Sequence, residues 1–319
     1  MSYLQAIVIA LIQGVTELFP ISSLGHSVLV PAWFGGSWQT LVTQSSQPSS
    51  ESSFYLAYIV ALHCATALAL LWYFRADWVR IILGFFRSLL RSVKDRKVSI
   101  DGRDEKLAWM IIVATIPVGL TGVALEHSFR VLFAKPISAA VFLFINGLVL
   151  LGGERLRRRQ LPVLAPDRNQ TAVAQGGGSR KRSEIQEGRA ADARITRLSF
   201  LDSLYVGVLQ IAALFAGISR SGVTMVGGLW RGLDHEDAAR FAFLLATPAI
   251  LAAGLLKIPS LTGSAGAHIH GQVAVGVVVA GVAAYFSVRF LMRYFQTRTL
   301  TPFAIYCLVV GAASFIRFS

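Results

Sequence analysis

The chain has 319 residues, of which 54% are hydrophobic and 15% charged, and its mean hydropathy is +0.59. Soluble domains carry roughly a quarter charged residues, so this composition excludes a cytosolic enzyme, a disordered tail and a disulfide-stapled secreted module, and it points to a lipid bilayer. The net charge of +13 raises nucleic acid as a partner, but the cations cluster in 75–106, 152–198 and 289–298, whereas 35–53 and 258–270 have no Lys or Arg. That asymmetry follows the positive-inside rule, makes the three basic stretches cytoplasmic and leaves no nucleic-acid partner to expect. The first Lys or Arg is Arg75, so no cleavable secretory n-region is expected either.

The first apolar stretch, 3–34, is broken near its middle by Gly, Pro and Ser. Segment 54–74 is an uninterrupted apolar run long enough to cross. Next, 78–92 sets Trp78, Ile81, Ile82, Phe85, Phe86, Leu89 and Leu90 among Arg80, Arg87 and Arg91, the spacing of an amphipathic helix on the inner surface. Runs 107–125 and 136–151 cross again, with Glu126, His127 and Arg130 read as a solvated outer turn between them. Stretch 152–198 reads as a flexible basic cytoplasmic loop, because 160–196 is rich in Gly, Ser and Arg and has little hydrophobic periodicity. The second broken stretch, 199–230, follows, and then three more crossings, 239–257, 271–290 and 301–317. Cys64 and Cys307 both sit within apolar runs and read as packing residues.

The six crossings alternate in agreement with the basic loops only if both broken stretches return to the side they came from. The expected fold is therefore an all-α polytopic membrane protein in one domain, 1–319. It has six transmembrane helices plus two re-entrant helical hairpins, 1–34 and 199–232. Irregular backbone at membrane depth survives only where protein or a water-filled cavity satisfies it, so each break points at a polar site. At a constant offset of 197 residues Gln13 aligns with Gln210, Ile21 with Ile218, Ser22 with Ser219, Gly25 with Gly222 and Ser27 with Thr224. Two such copies facing opposite ways form an inverted-topology repeat, whose broken helices meet at a central site.

Glu17 is the only Asp, Glu, Lys or Arg in the first fifty residues, and Arg220 the only one between Ser203 and Trp230. Charges inside a bilayer cost about 2.5–3.5 kcal/mol even on permissive scales, so such residues pair or serve function. A Glu17–Arg220 salt bridge that merely ties the hairpins together would leave the surrounding polar residues unexplained. By type they suit a phosphate group. Arg220 offers a planar fork, while Ser219, Ser221, Gly222 and Thr224 bring hydroxyls and amides to a helix start. Glu17 can hold a divalent cation or take a proton, with Gln13 one helical turn before it; His26 can act as acid or base, and Ser22 or Ser23 can be a nucleophile. His63, in the middle of 54–74, reads as a hydrogen bond to a neighbouring helix and stays outside the site.

The segment QGVTELFPISSLGHSVLV (13–30) resembles the first signature of the bacterial undecaprenyl-diphosphate phosphatases of the bacitracin-resistance type, and AGISRSGVT (216–224) is similar to their second. The similarity continues through FAFLLATPAI (241–250) and PFAIY (302–306). The resemblance implies an integral enzyme of the bacterial plasma membrane, its active site open to the outer face. It would remove the terminal phosphate of undecaprenyl diphosphate and so recycle the lipid carrier of peptidoglycan synthesis. A requirement for a divalent cation, Mg or Ca, and bacitracin resistance are implied with it. Glu17, Ser23, His26 and Arg220 are then the expected catalytic residues; Ser22, Ser219, Arg220, Ser221 and Thr224 bind the substrate phosphate, and Gln13 and Glu17 hold the metal. Ala216 stands where the family has Pro, and Cys307 where it often has Arg. Gln13 in place of Glu removes one charge from the cation site. The expected partners are a polyprenyl diphosphate lipid and the bilayer, with a homodimer left open. The competing class is a transporter or flippase of a phosphorylated polyprenyl lipid using the same site.

Overall fold

The computed structural model describes residues 1–45, 54–133, 135–160, 180–262 and 270–319, and these are all helix and short connections. Parts of the basic stretch (161–179) and of the two cation-free connections (46–53 and 263–269) lie outside the described residues, as does residue 134.

The first broken stretch is α1 (Tyr3–Thr16) and α2 (Ser23–Phe34). Ser2 opens α1 with a capping box, its hydroxyl accepting from the Gln5 amide while the Gln5 side chain returns to the Ser2 amide, so two orphan amides are satisfied. Ser22 caps α2 through Gly25 N at a positive φ of 70°. After α3 (Gly36–Ser45), α4 (Phe54–Tyr73) runs into α5 (Arg75–Asp95) through a bend of 87°. The sequence dictates that bend. Helix α4 is apolar on all sides, whereas α5 exposes Val79, Ile82, Leu83, Phe86, Leu90 and Val93 in one stripe at helical spacing, the pattern of a helix lying in an interface rather than crossing it.

Helices α6 (Arg103–Phe133) and α7 (Pro136–Gln160) follow. Helix α6 carries the chain through 126–130, where a solvated turn was expected; at 31 residues and about 1.5 Å per residue it outruns the hydrocarbon core, so these positions continue the helix beyond the apolar run. A second difference is α8 (Arg180–Ile195), inside the stretch expected to be flexible. Ala191 and Ile195 are buried, Asp192 bonds Arg80 of α5 at 2.7 Å, and Arg194 bonds Asp237 at 2.5 and 2.7 Å. This helix is held by ion pairs to its neighbours, and hydrophobic periodicity does not report those.

The second broken stretch is α9 (Phe200–Leu209), a 3-10 turn over Gln210–Leu214, and α10 (Arg220–Trp230). It meets α8 at a bend of 94°. Helices α11 (His235–Thr262), α12 (His270–Tyr294) and α13 (Thr301–Phe318) complete the chain. Among the described residues, α6, α7, α11, α12 and α13 each contain a segment long and apolar enough to cross a membrane. The protein is thus an all-α polytopic membrane protein. Five of the six expected crossings coincide with these helices, and the sixth, 54–74, is the first arm of the bent α4–α5 pair.

The offset of 197 reappears in the helices themselves. Helices α1 and α9 begin at Tyr3 and Phe200, and α2 and α10 at Ser23 and Arg220. Ser199 repeats the Ser2 capping box with Asp202 in place of Gln5. Packing follows suit: α1 lies on α12 as α9 lies on α6, and α7 pairs with α13. Gly14 of α1 abuts the Ala280 backbone of α12, and Gly207 of α9 abuts the Ala114 backbone of α6, the close helix approach that small residues allow in a bilayer.

Candidate active site

The two breaks meet tip to tip. Asn146, buried in α7, donates from Nδ2 to Pro20 O at 3.0 Å and accepts at Oδ1 from Ser219 N at 3.0 Å, so one amide satisfies an orphan group from each break. Ser22 Oγ accepts from Gly25 N at 3.2 Å and from Gly217 N at 3.1 Å. In return the hydroxyls of Ser219 and Ser221 lie 3.3 and 3.2 Å from Phe19 O. Gly217 has φ +115°, and a Cβ there would lie 2.6 Å from Ala139 O; only glycine supplies both that conformation and that approach.

Glu17 is the centre of the arrangement. It follows directly on α1, is 9% exposed, and its carboxylate receives four donors. Arg220 Nη2 reaches Oε1 at 2.5 Å. Oε2 takes Gln13 Nε2 at 2.9 Å, the Ser23 hydroxyl in a very short contact, and lies 3.2 Å from His63 Nε2. A charge withdrawn from water to this degree is tolerated only when its lone pairs are filled, and here they are.

Ser23 and Arg220 are the first residues of the two repeat-related helices α2 and α10. Nucleophile candidate and phosphate-fork candidate therefore occupy equivalent positions in the two copies, converging on one carboxylate. Helix α10 is capped by Ser219, whose Oγ accepts from Gly222 N at 3.1 Å, and its positive N-terminal end begins at Arg220, the partner of Glu17.

His26 stands apart from Ser23. Its Nδ1 donates to Ser22 O at 2.7 Å, and its Nε2 lies 2.8 Å from Tyr306 Oη of α13; with Nδ1 carrying the hydrogen, Nε2 accepts from the phenol. The Ser23 hydroxyl bonds Glu17, while the His26 ring is engaged with Ser22 and Tyr306. The hydroxyls of Ser22, Ser219 and Ser221 are engaged with the backbone of the opposite break, whereas Thr224 Oγ1 is buried with no hydrogen-bond partner.

Three residues of the site escaped the sequence reading. His63 bonds a neighbouring element as expected, but that neighbour is Glu17 itself; its signal is being the one His, Asp, Glu, Lys or Arg within the apolar run 54–74. Tyr306 lies within the quoted PFAIY segment. Asn146 is the one amide side chain in 136–151.

Among the described residues no group of three or more His, Cys, Asp or Glu is placed to hold a metal. Gln13 Oε1, however, is buried without a hydrogen-bond partner beside Glu17. That orphaned oxygen and the adjacent carboxylate are hard donors suited to Mg or Ca, and Mg commonly completes its sphere with substrate phosphates and water.

Residues 6–313 match the family described as bacitracin resistance protein BacA. The chain belongs to this family. It is 52% identical over 348 aligned positions to the protein named undecaprenyl-diphosphatase 2 of Frankia alni, with 100% of this chain and 98% of the relative covered. Against the undecaprenyl-diphosphatase of Mycolicibacterium paratuberculosis the identity is 55% over 317 positions, covering 99% and 97%. With undecaprenyl-diphosphatase 2 of Chromobacterium violaceum it is 39% over 321, covering 99% of both chains. In all three the alignment spans both breaks of the BacA fold and therefore the whole cluster around Glu17.

Proposed function

We propose that this BacA-family chain hydrolyses undecaprenyl diphosphate to undecaprenyl phosphate and inorganic phosphate in the bacterial plasma membrane, the activity for which its relatives are named. The observation that carries the chemistry is the Ser23 hydroxyl bonded to the Glu17 carboxylate, whose other oxygen is bonded to Arg220. A nucleophile on its base beside a phosphate fork is more than binding requires.

In this reading Arg220 transfers its guanidinium from Glu17 to the terminal phosphate, where the planar fork matches two oxygens. The amides opening α10 and the free Thr224 hydroxyl add donors. Ser23 Oγ attacks the terminal phosphorus as its proton passes to Glu17 Oε2, and the anhydride P–O bond breaks, releasing undecaprenyl phosphate. Water then attacks the phosphoserine phosphorus, the proton held by Glu17 returns to Ser23 Oγ as the P–O bond breaks, and the water oxygen leaves with its protons as part of the free inorganic phosphate. Positioning and charge neutralisation supply most of the catalysis in such transfers. His26, held by Ser22 and Tyr306, orders the mouth of the α2 turn and is available to move a proton once Tyr306 lets go. Gln13 and Glu17 would hold the divalent cation, which would neutralise charge on the diphosphate.

The topology we infer has α4, α6, α7, α11, α12 and α13 crossing, α5 on the inner surface, and the α1–α2 and α9–α10 pairs as re-entrant hairpins of an inverted repeat open to the outer face. The shared offset of 197 and the matched α1–α12 and α9–α6 packing support it. Inverted repeats also build transporters, so phosphate release from detergent-purified protein is the deciding experiment: in micelles transport has no meaning. Release that is lost in Ser23→Ala and on EDTA treatment supports the phosphatase with its cation; no release from folded protein overturns it.

A further inference from the structure

Glu17 cannot be held by Arg220 alone if Arg220 is to bind phosphate. In the structure one oxygen, Oε1, is held by Arg220 at 2.5 Å, and the other, Oε2, faces Ser23, Gln13 and His63. Once the guanidinium moves to the substrate, Oε1 loses that anchor, and a carboxylate on three rotatable bonds can turn away from Ser23. Gln13 Nε2 donates to Oε2 from the preceding turn of the same helical path, so it ties the carboxylate to no separate element. His63 comes from α4, a separate element, and its ring is fixed: Nδ1 donates to Ile59 O at 2.8 Å, so the ring plane is set and Nε2 is aimed at Oε2 at 3.2 Å. Helix α4 is anchored against α11 and α12, and Tyr58, on the preceding turn, bonds Ala6 O of α1 at 2.6 Å.

We infer that His63 is a positioning residue for the reaction: as an imidazolium, donating from Nδ1 to Ile59 O and from Nε2 to Glu17 Oε2, it holds that oxygen against Ser23 while Arg220 is engaged with the terminal phosphate. This rests on the phosphatase reading above. An ordered base separated from the phosphate fork resembles the general logic of a nucleophile, its base and a third group that orients the base.

The test uses the full-length protein in detergent, with phosphate release from undecaprenyl diphosphate giving kcat and KM separately. His63→Gln keeps an N–H donor on a side chain of similar reach; His63→Met has nearly the same volume as Gln and no donor. The expected result is that His63→Gln retains kcat within about threefold of the parent, while His63→Met loses at least 30-fold in kcat with KM within about threefold, because substrate binding through Arg220 is intact and orientation of the base is lost. Thermal unfolding in the same detergent checks the fold, and His63→Ala repeats the comparison if His63→Met does not fold. Parental kcat in His63→Met or His63→Ala overturns the inference, as does an equal loss in His63→Gln and His63→Met, which would make the imidazole a packing group. Absence of phosphate release from the parent itself is a separate outcome: it overturns the phosphatase reading and removes the inference with it.

Discussion

Arg220 Nη2 and Glu17 Oε1 meet at 2.5 Å across 203 residues of chain; Glu17 is the only Asp, Glu, Lys or Arg in the first fifty residues, and Arg220 the only one between Ser203 and Trp230. A pair of this kind can be read as a tie between the two breaks. The surroundings argue against that being its main purpose, because the breaks are already joined by Asn146, by Ser22 to Gly217, and by Ser219 and Ser221 to Phe19. The tie would be redundant, and desolvating two charges is costly.

Arg220→Lys separates the two roles. Lysine keeps the charge next to Glu17 but presents a point charge where the fork presented two parallel donors. Phosphate release is expected to fall about 100-fold or more, in line with loss of a preorganised charge-stabilising donor, with little change in the unfolding temperature. Near-parental turnover in folded Arg220→Lys would make the pair a structural tie.

Asn146→Leu tests the opposite balance. It leaves Pro20 O and Ser219 N buried without their partner, at about 1–3 kcal/mol for each unsatisfied group. The expected result is a clear drop in unfolding temperature in detergent, larger than for Asn146→Asp, which still accepts from Ser219 N. Equal stability of parent and Asn146→Leu would show that the breaks are held by the serine contacts alone.

Much of this architecture is readable in the chain because lipid imposes so few solutions. Long apolar runs must be helices; hence all six expected runs fall on apolar helices, five as single spans and the sixth as α4, and α5 departs from α4 where charges begin to alternate with apolar residues. Helix α8 was not readable, since its stability comes from Asp192 and Arg194 finding partners on other elements, and long-range ion pairs leave no periodic trace. In the site, Glu17 and Arg220 stand out by rarity within apolar sequence. The partner of each histidine does not. His26 follows Ser23 by only three residues, yet the turn of α2 sends its ring to Tyr306 on α13, while His63 reaches Glu17 from α4. Which of two histidines serves the carboxylate is decided by packing between elements far apart in sequence.

The proposed crossing pattern is checked by single cysteines in a background lacking Cys64 and Cys307. Val98, in the α5–α6 connection, is 78% exposed, and Thr297 and His270 are also exposed. With α12 running inward, His270→Cys should react with an impermeant thiol reagent in intact cells, and Val98→Cys and Thr297→Cys only after lysis. Labelling of Thr297→Cys from outside would reverse α12 and break the inverted relation between the two repeats.

The last prediction concerns which groups act as one unit. Because the Ser23 hydroxyl is bonded to Glu17 and not to His26, removing nucleophile and base should be strongly non-additive for that pair only. Ser23→Ala and Glu17→Gln should each lower kcat by orders of magnitude, and the double variant should be little worse than the worse single, as expected for residues that fail together. His26→Ala touches a different link, the Ser22–His26–Tyr306 contact. It should cost less, and its effect should be matched by Tyr306→Phe if the phenol is what places the ring. Rapid quench with terminally radiolabelled substrate adds the covalent readout: labelled protein is expected with the parent, none with Ser23→Ala, and accumulation in any variant that slows only the second step. Substantial turnover by Ser23→Ala would remove the serine from the reaction and leave Glu17 to activate water directly against the phosphorus held by Arg220.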